Sequence, residues 1–175
     1  MMQNVPAFSE LLADTRYSAV HLEMRDSYGI ASEAAEFAEY ERTGVRSDLD
    51  PDGEGWSDWV PMIRSAVARG VVVRRARIVS EPVSTYIRYE HAGTVVNLAA
   101  GEQVRWLPRR RASDLALPGN DFWLFDGRVL RFNHFTGDGA SGGPEMCGDQ
   151  AVVKLCAEAF EAVWARAVPH EQYFV

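Results

Sequence analysis

The sequence predicts an α/β fold with a mixed sheet flanked by helices. Three observations carry that reading. Val71 to Val79 is a β-branched run of strand length; Phe122 to Phe125 and Arg128 to His134 are apolar-rich runs joined at Asp126-Gly127; and apolar residues recur every three or four positions in the segments between and around them. Strands that alternate with helices in this way bury their apolar sides as a sheet covered by helices. At 175 residues, with 47% hydrophobic and 25% charged residues, the chain is long enough for one core. Residues 1–175 are therefore read as a single domain, 1–69 as a mainly helical cover and 70–175 as the α/β part.

Phe8 to Leu12 has helical spacing, and Tyr17 to Met24 reads as extended. Ser32 with Glu36, preceded by Ile30, opens an amphipathic helix through Phe37 and Tyr40 that Thr43-Gly44 closes. Asp48 to Gly55 is a loop by its Asp, Pro and Gly content. Trp56, Trp59, Met62, Ile63, Ala66 and Val67 then repeat with helical spacing, so 56–69 is a helix ending at Arg69-Gly70. After the Val71 to Val79 strand, Ser80-Glu81-Pro82 reads as a helix start with Pro in the first turn, and Gly101-Glu102 as its end. Val104 to Pro108 is a strand, and Asp126-Gly127 marks a hairpin between the next two. Gly137 to Pro144 is a Gly-rich loop, expected as a lid over the Asp126 region. Asp149 caps a last helix whose inner face is Val152, Val153, Cys156, Phe160, Val163, Trp164 and Ala167.

The net charge of −7 is distributed in blocks. Residues 1–63 hold four Arg against thirteen acids, 64–131 twelve Arg against six acids, and 132–175 two basic residues against six acids. A basic middle between acidic ends fits either a groove for an anion or two faces of one domain that neutralise each other. Arg109-Arg110-Arg111 is its concentrated part, but Arg75 and Arg77 point to one side of a strand and Arg74 to the other, so they cannot all line one groove. The overall acidity stands against direct nucleic-acid binding. Hydrophobic runs are far shorter than the roughly 20 residues needed to cross a bilayer, and Met1 to Pro6 has neither basic nor apolar leader character, so the expectation is a soluble cytoplasmic protein. Cys147 and Cys156, nine apart with no C-x-x-C pair and no His cluster, point to free thiols; neither a metal nor a cofactor is expected.

The most informative segment is Gly119-Asn120-Asp121-Phe122-Trp123-Leu124-Phe125-Asp126. With the strand-helix-strand run before it, it resembles one half of a phospholipase D-like domain over residues 70–166. In that superfamily a strand carries His, any residue, Lys, four residues and Asp; here Gly119 stands for the His and Asp121 for the Lys, and only Asp126 is kept. A His nucleophile and a phosphate-neutralising Lys are what that reaction needs, so the resemblance implies the fold and argues against the activity. The whole chain also resembles an uncharacterised actinobacterial family of unknown function, encoded beside helix-turn-helix regulators and small acidic proteins, through Ser18 to Asp26, Val73 to Ser80 with Pro82, Tyr86 to Glu90, Gly101-Glu102, Val104 to Pro108 and Asp121 to Asp126.

Together these imply a non-catalytic regulatory or ligand-sensing module that partners a helix-turn-helix regulator or a small acidic protein, with a homodimer as a further possibility. The candidate site gathers Trp106, Asp121, Trp123, Asp126 and His134 around the degraded motif, with His21, Glu23, Arg25 and Asp26 beside it. In a strand His21, Glu23 and Arg25 share a face, as a pocket wall or as a charge network tying the N-terminal segment to the sheet. The alternative is a phosphodiesterase or nuclease that pairs His134 or His21 with Asp126.

Overall fold

The computed structural model describes residues 5–175. Its elements are α1 (Phe8–Asp14), β1 (Ser18–Glu23), α2 (Ala34–Thr43), α3 (Val60–Ala68), β2 (Val72–Val79), α4 (Thr85–Ala100), β3 (Gln103–Pro108), β4 (Asp121–Phe125), β5 (Val129–Phe135), β6 (Ser141–Cys147), α5 (Gln150–Arg166) and β7 (Val168–Pro169). The seven strands form one mixed sheet in the order β6-β5-β4-β1-β2-β3-β7. β1, β2 and β3 are parallel, while β4, β5, β6 and β7 each run antiparallel to their neighbours.

Alternation along each strand sends one set of side chains to each face. Val20 and Leu22 of β1, Ala76 and Ile78 of β2, and Phe122 and Leu124 of β4 meet Val153, Cys156, Phe160, Val163 and Trp164 of α5. Asp149 caps that helix, accepting the Ala151 and Val152 N–H groups, and its expected inner face is buried with only Val152 partly open. The opposite face carries Ala19, Val73, Trp123 and Phe125 against Leu12 of α1, Val60 and Ile63 of α3 and Val96 of α4. Phe122, Trp123 and Phe125 are thus all buried, because helices cover both sides of the sheet.

Two local expectations change, and two strands take places that the sequence did not announce. Within the N-terminal part, read as mainly helical, β1 lies at the centre of the sheet between β2 and β4. The fourth helix starts at Thr85 rather than at Ser80-Pro82. Asp26 takes the Ser80 N–H and Oγ–H at 2.7 and 2.6 Å, holding 80–84 as a turn across the strand ends, and Ser84 supplies the N-cap by accepting the Ile87 N–H. The Gly137 to Pro144 segment is no lid over Asp126: from Ser141 it pairs with β5 as β6, and Gly139 bonds Gly29 at the end of the hairpin away from Asp126. Finally, β7 adds a short strand beside β3 that two residues of sequence did not announce.

Candidate functional site

β1 is the point where the sheet's connectivity divides, since the chain proceeds from it to β2 and β3 on one side and to β4, β5 and β6 on the other. In open α/β sheets the crevice beyond the carboxyl ends of the strands at such a point is where ligands bind. The side chains obey the same geography. On the face away from α5, β1 reads Ala19, His21, Glu23; β2 reads Val73, Arg75, Arg77; and β4, running the other way, reads Phe125, Trp123, Asp121. Each strand passes from apolar to charged toward the same edge, and the register sets His21 beside both Arg75 and Trp123, and Glu23 beside Arg77.

The charges form a chain. Arg75 donates from Nε to Glu102 at 3.0 Å and from Nη1 to Glu23 at 2.9 Å. Arg77 stands with Nε 2.9 Å from the second Glu23 oxygen, an ion pair too bent for a good hydrogen bond, and with Nη2 2.6 Å from Glu90. Arg46 reaches Glu90 at 3.8 Å, bonds Asp48 and the Tyr89 carbonyl, and lies 3.8 Å over the Tyr89 ring. Glu102 also accepts from Trp59 Nε1 and Asn97 Nδ2, so its buried carboxylate is fully partnered.

Between this network, α4, the start of α2 and the 46–59 segment lies a cavity of about 450 Å³. That volume is in the range of small-molecule sites. His21 forms part of its wall. It is 6% exposed, stacks on Trp123 with ring centroids 4.3 Å apart, and neither of its ring nitrogens has a hydrogen-bond partner. Glu23 Oε1 is 3.6 Å from Nδ1, beyond bonding distance. Burial, with Arg75, Arg77 and Arg131 nearby, holds His21 well below its ordinary pKa, so the ring is neutral near pH 7. Across the cavity, burial lifts Glu33 from 4.5 to about 7, with Glu90 reinforcing it, and burial lifts Asp121 from 3.8 to about 6 although Tyr28 donates its hydroxyl to it.

A stability prediction follows from those two acids. The folded chain favours their protonated forms, so their contribution is complete below the ordinary carboxylate range and is lost as pH rises through about 6 to 7. The buried His21, His91 and His170, held below their ordinary pKa, act in the opposite sense over the same interval, so the Glu33 part is isolated by comparison: the stability of wild type minus that of Glu33→Gln, measured by urea unfolding, is expected to fall between pH 5 and pH 8. A difference that rises over that interval would contradict it.

Gly93 on α4 is the contact that seats Arg46, because a Cβ there would overlap the Arg46 guanidinium. Gly→Ala within a helix ordinarily stabilises by about 0.5–1 kcal/mol. Gly93→Ala is expected to reverse that sign and cost about 1–3 kcal/mol, because a displaced Arg46 leaves Asp48 and the Tyr89 carbonyl without their donor. Thermal unfolding beside Arg46→Ala checks it: a stabilised Gly93→Ala would mean the guanidinium moves aside freely.

Of the nine residues singled out from sequence, the structure brings four together on the cavity wall: His21, Glu23, Asp121 and Trp123. The other five are elsewhere. Asp126 sits at the hairpin turn with φ 52° and accepts the N–H groups of Arg16, Tyr17 and Ser18; partial burial pushes its pKa up, but those N–H bonds hold it below 3.8 overall. His134 is five residues along β5 from Val129, about 16 Å from that turn, and pairs with Glu145 on β6 at 2.8 Å. A His134–Asp126 or His21–Asp126 catalytic pair is therefore not formed; Asp126 is an anchor for the entry to β1. Trp106 is wholly buried behind the network, donating to His170 and stacking on Tyr173. Asp26 ties together the ends of β1, β2 and β3 through Ser80 and Arg109, and Arg25 lies over Phe135. Arg109, expected exposed, is thus half spent on structure, donating also to the Met24 and Ile78 carbonyls.

Sequence reasoning missed Tyr28, Glu33, Arg46, Tyr86, Tyr89, Glu90 and Glu102. The signal available was the rarity of buried acids: Glu90 falls on a helix face between Tyr86, Tyr89 and Gly93, all buried. Among the described residues no group of three or more His, Cys, Asp or Glu side chains is arranged to hold a metal ion, and no helix is long and apolar enough to cross a membrane.

A seven-stranded mixed sheet between helices, with a charged cavity where its connectivity divides, defines a mixed α/β domain. The chain belongs to the family described as Domain of unknown function (DUF6879), whose model matches residues 6–175. No curated protein matches the sequence. Among solved structures it is similar to Nuc, a phospholipase D family member from Salmonella typhimurium, with a TM-score of 0.52 at 11% identity over 92% of this chain and 86% of that one. It is also similar to TrmBL2, an archaeal chromatin protein, with a TM-score of 0.48 at 15% identity over 91% of this chain and 47% of that one, a partial likeness that takes in less than half of TrmBL2. At such identities the likeness extends to the fold alone.

Proposed function

We propose that this chain is a non-catalytic ligand-sensing module of the cytoplasm that reports on a small molecule to a partner protein. The observation that carries the proposal is His21: a buried ring with two unpartnered nitrogens on the wall of a 450 Å³ cavity. Buried polar groups are nearly always bonded, and a ligand group that bonds His21 would supply what the chain does not. Catalysis is the weaker reading, because Asp126 is spent on backbone N–H groups and the positions of the superfamily's His and Lys hold Gly119 and Asp121.

The partner and source belong to the same proposal. A sensor with a net charge of −7 suits protein contact better than DNA contact. The actinobacterial kinship points to a helix-turn-helix regulator, with a small acidic protein or a second copy of the chain as the other candidates.

The test is a thermal-unfolding screen of the purified chain against a library of cellular small molecules. A ligand at a hundred times its Kd adds about 2.7 kcal/mol, which for a chain of this length moves the midpoint by about 5–10 °C. At least one compound is expected to do so in the wild type and not in His21→Leu, and to change how much helix-turn-helix regulator co-purifies. A library that leaves the midpoint unmoved would overturn the sensing reading.

A further inference from the structure

The chemistry of the ligand can be read from what the cavity has left uncommitted. Three cations line it, Arg46, Arg75 and Arg77, and each is held by carboxylates of the chain itself. Six carboxylates line it as well, so with His21 neutral and Glu33 only partly ionised near pH 7 the wall still carries more negative than positive charge. An anion entering would find every guanidinium occupied and meet that surplus. Nor is the surplus evenly spread. Glu23, Glu90 and Asp48 face the arginines, whereas Glu33, at the start of α2, has only the Tyr86 hydroxyl, which donates to it at 2.8 Å, and no cation in contact. Glu36 stands exposed one turn further on, at the mouth. Tyr86 and Tyr28 place aromatic rings beside this acidic end, with centroids 6.0 Å apart. Aromatic faces and an unpaired carboxylate are what a desolvated organic cation requires.

We infer that the cavity binds a small organic cation, an amine or amidine on a planar frame, with its charge at Glu33 beside Tyr86 and Tyr28 and a polar atom bonded to His21. The inference rests on the sensing proposal and specifies its ligand. The raised pKa of Glu33 agrees with it, because that carboxylate is held in readiness for a positive charge that the chain does not provide. The groups facing Glu33 are Tyr86 and Glu90 from α4, Arg77 from β2 and Arg46 from the segment after α2. Tyr86, Arg77 and Arg46 are all raised further above this range, so they keep their charge between pH 6 and 8. Binding of a cation therefore draws a proton off Glu33 and strengthens as pH rises through 7.

Three probes of one shape and different charge test this: benzamidine, benzamide and benzoate, titrated into the full chain by calorimetry and ligand-observed NMR. Benzamidine is expected to bind at least tenfold more tightly than benzamide, and benzoate more weakly than either. From pH 6 to pH 8 benzamidine affinity should rise about tenfold, following ionisation of a group titrating near 7, while benzamide stays level. Glu33→Gln should erase the preference for benzamidine, and His21→Leu should weaken benzamidine and benzamide alike. Benzoate bound as tightly as benzamidine, a preference that survives Glu33→Gln with a flat pH profile, or no benzamidine binding at millimolar concentration would overturn the inference. The sensing proposal is separable: benzamide or benzoate binding that His21→Leu abolishes would retain a ligand site while removing the cation, and only an unmoved library screen would remove both.

Discussion

Replacing Arg77 by alanine is expected to destabilise the protein by about 3–5 kcal/mol, the range for removing one partner from a buried ion pair. Arg77 is 4% exposed and is the link between Glu23 and Glu90. Burial alone would strip the charge from a cation, but the two carboxylates outweigh it and raise the Arg77 pKa, so the guanidinium stays charged throughout the stable range. Without it, Glu23 keeps only Arg75 and Glu90 only Arg46 at 3.8 Å, which leaves the largely buried Glu90 without a close cation. Arg77→Lys keeps the charge but not the planar fork that spans both acids, and should fall between wild type and Arg77→Ala. Urea unfolding measures all three. A loss for Arg77→Ala below about 1 kcal/mol would mean that the network behaves like an exposed one.

Trp106→Ala is expected to cost a similar amount, about 3–5 kcal/mol, for a different reason. Its ring is fully buried, stacked on Tyr173 with centroids 5.7 Å apart at an interplanar angle of 8°, and its Nε1–H donates to His170 Nδ1 at 3.2 Å. That bond needs an unprotonated His170, and burial together with His91 lowers the His170 pKa to about 4. Truncating Trp106 removes the surface against which the C-terminal segment from Val168 to Tyr173 is packed. Trp106→Phe retains most of the ring and gives up the polar contact, so it should cost about 1–2 kcal/mol. Guanidinium unfolding distinguishes the two roles for this residue: full stability in Trp106→Ala would return it to the binding surface where its sequence neighbourhood had suggested it.

The two predictions mark the limit of what strand alternation reveals. From sequence, His21 and Glu23 share a face, as do Arg75 and Arg77, and both pairs are found on one wall of the cavity. Trp106, equally part of a strand, is placed from sequence around the degraded motif, yet it packs behind the network. Nothing local told that the C-terminal segment would fold back over it. Asp126 shows the same limit from another side. The Asp-Gly turn was legible, since a left-handed residue followed by glycine closes a hairpin, but the three N–H groups that occupy its carboxylate come from a segment more than a hundred residues earlier.

By itself, the sequence determined the α/β class, the helix on each long apolar stripe, the Asp149 cap and the hairpin at Asp126-Gly127. These depend on periodicity and on residue identity within a few positions, where the side-chain spacing of helix and strand is fixed by backbone geometry. Only the tertiary structure decided that β1 stands at the centre of the sheet, that Glu102 and Glu90 complete the arginine network, and that Glu33 and His21 face one cavity. Those pairings join residues 12 to more than 100 positions apart. The free energy that selects them comes from desolvating charges on condition that each finds a partner, which is a property of the assembled fold rather than of any segment of the chain.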